Sequence, residues 1–145
     1  MRRESGYTLV EIMVVVAILA VLASVAVPAY VNYKNRAIQG EAVEALLRAK
    51  MDQEVFWSEN NRYAGTVRCL ASFGNSCGNA NAFLTPNSYT ITVVLSNANS
   101  FRVRATKTYY SGVSADTVAI TESLEKPVIA NTDALKYSIF KWIFD

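Results

Sequence analysis

The chain has no histidine, two cysteines and three prolines among 145 residues. Without histidine there is no imidazole base, no serine–histidine triad and no His-liganded zinc. Two cysteines allow one disulfide at most, and no CxxC spacing points to a metal or redox pair. An excess of one charge is also missing: 14 Lys+Arg stand against 12 Asp+Glu, a formal net charge of +2. That surplus falls short of a dedicated nucleic-acid binder, which concentrates basic residues on one face. The length is that of one domain, which excludes a multidomain enzyme. There is no glycine-rich phosphate loop and no catalytic triad. Asp116, Glu122 and Glu125 lack the spacing of a calcium loop. The sequence therefore predicts a non-enzymatic protein with no metal or cofactor.

What is present is hydrophobic residues, 52% of the chain, unevenly spread. From Ile12 to Val31 no residue is charged. Twenty helical residues rise about 30 Å, enough to cross a bilayer core. Arg2 and Arg3 precede the block, and Lys34 and Arg36 follow it, so charge alone does not set an orientation. Composition leaves two readings open, a membrane anchor and a signal peptide cut near Ala23 to Ala26. The apolar run is longer than a typical signal-peptide core.

Glu11 adds a constraint. A carboxylate at the edge of an apolar helix costs a few kcal/mol if buried unpaired. The positions three and four residues away are Tyr7, Thr8, Val14 and Val15, none charged. Its partner must come from outside this helix.

The run Gly6-Tyr7-Thr8-Leu9-Val10-Glu11-Ile12-Met13-Val14-Val15-Val16-Ala17-Ile18, continued through Ala26-Val27-Pro28-Ala29-Tyr30, resembles the prepilin N-terminus of type IV pilins and type II secretion pseudopilins. The resemblance covers roughly the first 35 residues closely. It implies that residues 1–6 are a leader, cut after Gly6 by a membrane-embedded prepilin peptidase that then methylates the Tyr7 amine. It implies that Glu11, with Thr8 beside it, pairs with the Tyr7 amine of an adjacent subunit in a helical homo-oligomeric filament. Residues 7–31 would be the transmembrane and polymerisation helix, 32–58 its amphipathic continuation and 59–145 the globular head. The subunit would rest in the lipid of the bacterial inner membrane, head outside the cytoplasm. The pilus assembly machinery would then draw it into an extracellular pilus. Three positions depart from the family pattern: Tyr7 replaces the usual phenylalanine, Glu4 puts an acid into a basic leader, and Ala20 stands where glycine is usual. Pro28 has no N–H for the Ser24 carbonyl, so the helix should kink or loosen there.

Helical spacing continues past the apolar block. Ile38, Ala42, Ala45, Leu46, Ala49, Gln53 and Phe56 form one face with a single polar break. Glu44 with Arg48 and Lys50 with Glu54 are i,i+4 pairs, only the first in the favoured orientation. The spacing predicts a helix from about Thr8 to about Ser58, roughly 75 Å long. Its first half needs lipid or other subunits, and its second half can take a sheet. The stretch Glu54 to Ala64 resembles the end of the long pilin helix. Phe56, Trp57 and Tyr63 would cap the core, and Asn60 and Asn61 would help stop the helix.

Residues 65–88 read as a loop. Membrane translocation would place it in an oxidising space, so Cys69 and Cys77 are expected to form a disulfide. In many pilins that bond pins a loop near the C-terminus, so the usual receptor-binding loop does not carry over. Strands are expected at Ser88–Ser96, Phe101–Lys107, Thr117–Thr121 and Tyr137–Phe144. On the second, Phe101, Val103 and Ala105 face in while Arg102, Arg104 and Thr106 face out. The expected fold is α+β: a long N-terminal helix packed on three or four antiparallel strands. Arg102, Arg104 and Lys107 could touch DNA phosphates, but a solvated sheet face accounts for them too. The expected function is a type IV pilus subunit for adhesion, motility or DNA uptake. The alternatives are a type II secretion pseudopilin and a minor pilin. A membrane-anchored monomeric enzyme or binding protein is a reading of another class, with no catalytic constellation behind it.

Overall fold

The computed structural model describes residues 7–111 and 113–136. The expected leader with Gly6 and the expected strand Tyr137–Phe144 lie outside the described residues. One helix, α1 (Leu9–Asn60), precedes five strands: β1 (Phe83–Leu84), β2 (Thr90–Ser96), β3 (Phe101–Lys107), β4 (Asp116–Thr121) and β5 (Val128–Ile129). The strands form one sheet in chain order, every neighbouring pair antiparallel. The fold is α+β, a long helix and a meander.

The chain divides into two units, the first including residues up to Lys34 and the second running from Asn35 to Lys136. The described part of the first is helical from Leu9 onward, and every side chain from Tyr7 to Val27 is exposed. The helix continues through Pro28. Ser24 Oγ donates to the Val21 carbonyl at 2.7 Å.

The second unit holds the core. Asn35, Gln39, Ala42, Leu46, Ala49 and Gln53 are the buried residues of α1. Their spacing alternates four and three, which keeps them on one face of a 3.6-residue helix. Against them lie the inward residues of the sheet, including Ile91, Val93, Phe101, Val103, Ala105, Val118 and Ile120. Each fully buried aliphatic side chain of this size contributes about 1.5–3 kcal/mol by leaving water.

The helix stops at its two asparagines. Asn60 donates its side-chain amide to the Phe56 carbonyl at 2.9 Å. Asn61 takes a left-handed conformation, φ 54°, and its N–H closes on the Trp57 carbonyl. Asparagine tolerates that region better than other residues with a Cβ. Trp57 then donates its indole N–H to the Ala98 carbonyl at 2.8 Å, tying the helix end to the β2–β3 turn. Trp57, Tyr63 and Phe101 follow one another with ring centroids 6.4 and 4.8 Å apart.

Three expectations are corrected. The Glu44–Arg48 pair forms, at 2.5 Å, but Lys50 does not pair with Glu54. Its ammonium donates to the Glu122 and Leu124 carbonyls at 3.0 and 2.7 Å. Two fixed carbonyls of the chain after β4 outcompete one exposed carboxylate in the less favourable helical orientation. The stretch 65–88 is not all loop: it contains single turns at Val67–Cys69 and Ala71–Phe73, and β1. β5 was not expected either; strands of two residues leave no period to read.

Candidate functional site

The start of α1 is a cap. Thr8 precedes the first helical residue, and its hydroxyl oxygen accepts the Glu11 amide at 3.2 Å. The Ile12 amide reaches the Thr8 carbonyl at 3.3 Å. A hydroxyl here satisfies one of the amides that a helix start leaves unpaired. Glu11 in the first turn also favours the positive end of the helix dipole. Among the described residues, no side chain pairs with its carboxylate. Tyr7 is 80% exposed. Beyond Glu11 the helix is long and apolar enough to cross a membrane, with a mean hydropathy of 2.8 over eighteen residues and none of that window buried.

The second unit joins helix to sheet through polar groups that the sequence analysis did not single out. Gln39 Nε2 donates to both carboxyl oxygens of Asp116, at 3.1 and 3.0 Å. The Tyr89 hydroxyl donates to Asp116 Oδ2. The hydroxyls of Tyr89 and Tyr109 lie 3.0 Å apart, and Tyr109 donates to the Asn35 carbonyl at 3.2 Å. Asn35 Nδ2 donates to the Tyr110 hydroxyl and the Leu135 carbonyl. Burial pushes the Tyr89 hydroxyl well above its ordinary value, helped by its bonds to Asp116 and Tyr109. Burial raises Tyr109 too. The signal for Asn35 and Gln39 was available: they extend the apolar stripe backwards at the same spacing, as polar residues on a buried face.

Gln53, the polar break in the stripe, is satisfied in both senses. It accepts the Ala64 amide at 2.8 Å and donates to the Ala64 carbonyl at 3.1 Å. Cys69 and Cys77 are joined by a disulfide, as expected. Asn81 ties the same segment to β2 by accepting the Val67 and Val93 amides and donating to the Val93 carbonyl. Among the described residues no three His, Cys, Asp or Glu side chains gather as metal ligands.

The three basic residues weighed for DNA separate. Arg102 and Arg104 are exposed on β3. Lys107 turns away, donating to the Asn87 carbonyl at 2.5 Å and lying 4.7 Å from the centre of the Tyr109 ring.

Residues 1–27 match the family described as prokaryotic N-terminal methylation motif. Residues 28–117 match that described as type IV minor pilin ComP, DNA uptake sequence receptor. The chain is similar to the type IV wide pilus major component of Thermus thermophilus, 30% identical over 138 residues and 95% of each chain. It is 39% identical to the type II secretion system core protein G of Aeromonas hydrophila over 74 residues, 51% of this chain and 52% of that one. It is 40% identical to the type IV major pilin protein of Myxococcus xanthus over 62 residues, 43% of this chain and 28% of that one. The chain thus spans about half or less of the last two relatives.

Proposed function

The chain belongs to the type IV pilins, in the family described as type IV minor pilin ComP, DNA uptake sequence receptor, and from that membership we propose that it is a structural, non-enzymatic filament subunit polymerised through the first half of α1. One observation carries the reading. The helix from Leu9 to Val27 is exposed along its whole length, and its single charge is Glu11. Apolar surface of that extent needs a cover. Lipid covers it before assembly, and the helices of neighbouring copies cover it afterwards.

The chemistry at the helix start follows. Prepilin peptidase cuts after Gly6, and the new Tyr7 amine is methylated. That amine is the cation that Glu11 of an adjacent copy lacks. Their pairing sets the axial step of the filament and favours the move out of the bilayer, where an unpaired carboxylate is costly. Around Ser24 and Pro28 the helix loosens in the filament, because Pro28 offers no N–H to the Ser24 carbonyl. The inner-membrane assembly machinery lifts the subunit with its head outside the cytoplasm.

Mass spectrometry of the mature N-terminus tests the processing step. A chain starting at methylated Tyr7 is the expected result; an intact Met1, or a start near Pro28, defeats it. Electron microscopy of sheared surface fibres, with peptide identification, separates a pilus from a secretion pseudopilus. The match along 95% of a pilus component supports the pilus reading over one resting on half of a secretion protein.

A second reading concerns what the filament holds. The family description over residues 28–117 names a DNA uptake sequence receptor, and two exposed arginines stand on β3. DNA is the proposed cargo.

A further inference from the structure

The exposed surface of α1 does not end with its apolar block. Tyr30 and Tyr33 are 68% and 74% exposed, three positions apart on one helical face. Lys34 and Arg36 follow, also exposed and with no hydrogen bond or ion pair among the described residues. Rings with a polar tip, followed by cations on long stems, are what a helix carries where a bilayer gives way to water. On the membrane-borne reading, residues 30–36 therefore sit where the lipid core ends.

The last described residues return to that level. Asn35, the first buried residue of α1, donates its side-chain amide to the Leu135 carbonyl at 3.0 Å and to the Tyr110 hydroxyl at 2.8 Å. Ala134 and Leu135 are buried, and the Lys136 amide closes the turn on the Asp133 carbonyl at 3.1 Å. The chain is thus pinned to α1 at Asn35, about 6 Å along the helix from Val31, just before it reaches residue 137. The segment from there, Tyr137 to Asp145, carries Tyr137, Ile139, Phe140, Trp142, Ile143 and Phe144. Its polar residues Ser138, Lys141 and Asp145 recur at spacings of three and four, the period of one helical face. At strand period that separation is lost, because Ser138 shares its row with Phe140, Trp142 and Phe144. A broad aromatic side with a narrow polar stripe is the pattern of a segment that lies in the plane of an interface.

We infer that residues 137–145 make a second membrane contact, lying along the bilayer–water interface at the level where α1 leaves the lipid. Trp142 and the two phenylalanines enter the lipid, Lys141 stays at the headgroups, and Tyr30 and Tyr33 of α1 belong to the same aromatic belt. This rests on the reading of the chain as a membrane-borne subunit and adds a contact to it. Lipid is the occupant because the segment starts at the end of a helix surface that lipid already covers, and because its composition is that of an interfacial anchor. The contact holds the head down on the bilayer and breaks when the subunit is lifted into a filament.

The test uses the full chain reconstituted into phosphatidylcholine vesicles. Flotation first shows whether the chain is membrane-borne at all. Trp142 is then read as the difference in emission between the wild type and Trp142→Phe, which keeps a ring and leaves Trp57 as the common background. Bromine near the carboxyl end of the acyl chains should remove most of the Trp142 emission, bromine near their terminus less of it, and aqueous iodide little. Ile139→Ser, Phe140→Ser, Ile143→Ser should open Trp142 to iodide and leave the urea unfolding of the head as in the wild type. If the chain does not float, the membrane reading falls and this contact with it. If it floats, but iodide quenches Trp142 and bromine does not, the segment lies in water: the inference fails while the helix anchor stands. If neither quencher reaches Trp142, or the triple Ser variant unfolds at lower urea, protein covers the segment, its own head or a second copy, and the inference fails likewise.

Discussion

Gln39, in the middle of α1, donates its side-chain amide to both carboxyl oxygens of Asp116, the first residue of β4, across 77 positions of sequence. Both side chains are buried, and Asp116 has no measurable exposure. The contact joins helix to sheet at a place where apolar packing alone would leave sliding along the helix axis uncorrected. A directional bond between buried partners fixes one register, because any slip leaves both unsatisfied.

Removing one side of that contact should cost more than removing both. Asp116→Ala strands the Gln39 amide, at about 1–3 kcal/mol when left buried and unpaired, and takes from the Tyr89 hydroxyl its charged acceptor, leaving it the Tyr109 hydroxyl at 3.0 Å. A loss of about 2–4 kcal/mol is expected in urea unfolding followed by tryptophan fluorescence. Adding Gln39→Leu to that variant should recover part of the loss, a non-additivity expected of residues in contact. A strictly additive double variant would remove the network from its stabilising role.

The tyrosines give the head a stability limit at alkaline pH. Tyr89 has its hydroxyl raised above the ordinary value of 10.0, first by burial and then by its hydrogen bonds to Asp116 and Tyr109. Tyr109 and Tyr63 are raised as well, by burial first. A raised value means that the folded state holds the proton more tightly than the unfolded state. The stabilisation is thus complete below about pH 10 and is lost as pH rises beyond it. Unfolding free energy should fall with pH above 10, and Tyr89→Phe should flatten that fall. The check is urea unfolding at a series of alkaline pH values.

The parts of this architecture that were readable beforehand are those where one period runs long enough to be seen. β3 carries five strictly alternating residues, Phe101 to Ala105, and the observed strand has the expected limits. The stripe from Ala42 to Gln53 repeats at helical spacing and is buried. Asn35 and Gln39 escaped because they continue that stripe with polar side chains, and their partners Asp116 and Tyr109 are more than seventy residues away. Tertiary pairing of that kind leaves no local pattern. β1 and β5 escaped for the opposite reason: two residues are too few to alternate. Lys50 was misassigned because a helical neighbour is visible in sequence and a pair of carbonyls beyond β4 is not.

The disulfide should matter through the unfolded chain. Cys69 and Cys77 close a short loop beside the Val67–Cys69 turn. Loop-closure entropy for a ring of that size is about 2–3 kcal/mol at room temperature. Cys69→Ser, Cys77→Ser should lower the unfolding free energy by that amount and leave the β2–β4 face unaltered. A loss below about 1 kcal/mol would mean that Asn81, which bonds Val67 and Val93, already holds the segment without the covalent link.

At the other end of the chain, stability and assembly should come apart. Thr8 caps α1 by accepting the Glu11 amide, so Thr8→Val removes about 1 kcal/mol from the helix start. The Glu11 carboxylate, by contrast, makes no side-chain pair among the described residues, so Glu11→Ala should leave the monomer's unfolding free energy within about 0.5 kcal/mol of wild type, as for an exposed substitution. Processing should also survive, because the bond after Gly6 and the Tyr7 amine are intact. Filament yield is what should collapse, since the alanine variant gives the Tyr7 amine of the next copy nothing to pair with. Glu11→Gln sharpens the test: it keeps the shape and a hydrogen-bond acceptor but removes the charge. If Gln restores filaments to the wild-type amount, register is set by a hydrogen bond; if it assembles as poorly as Ala, the ion pair sets it. Wild-type yield in the alanine variant would take Glu11 out of assembly altogether.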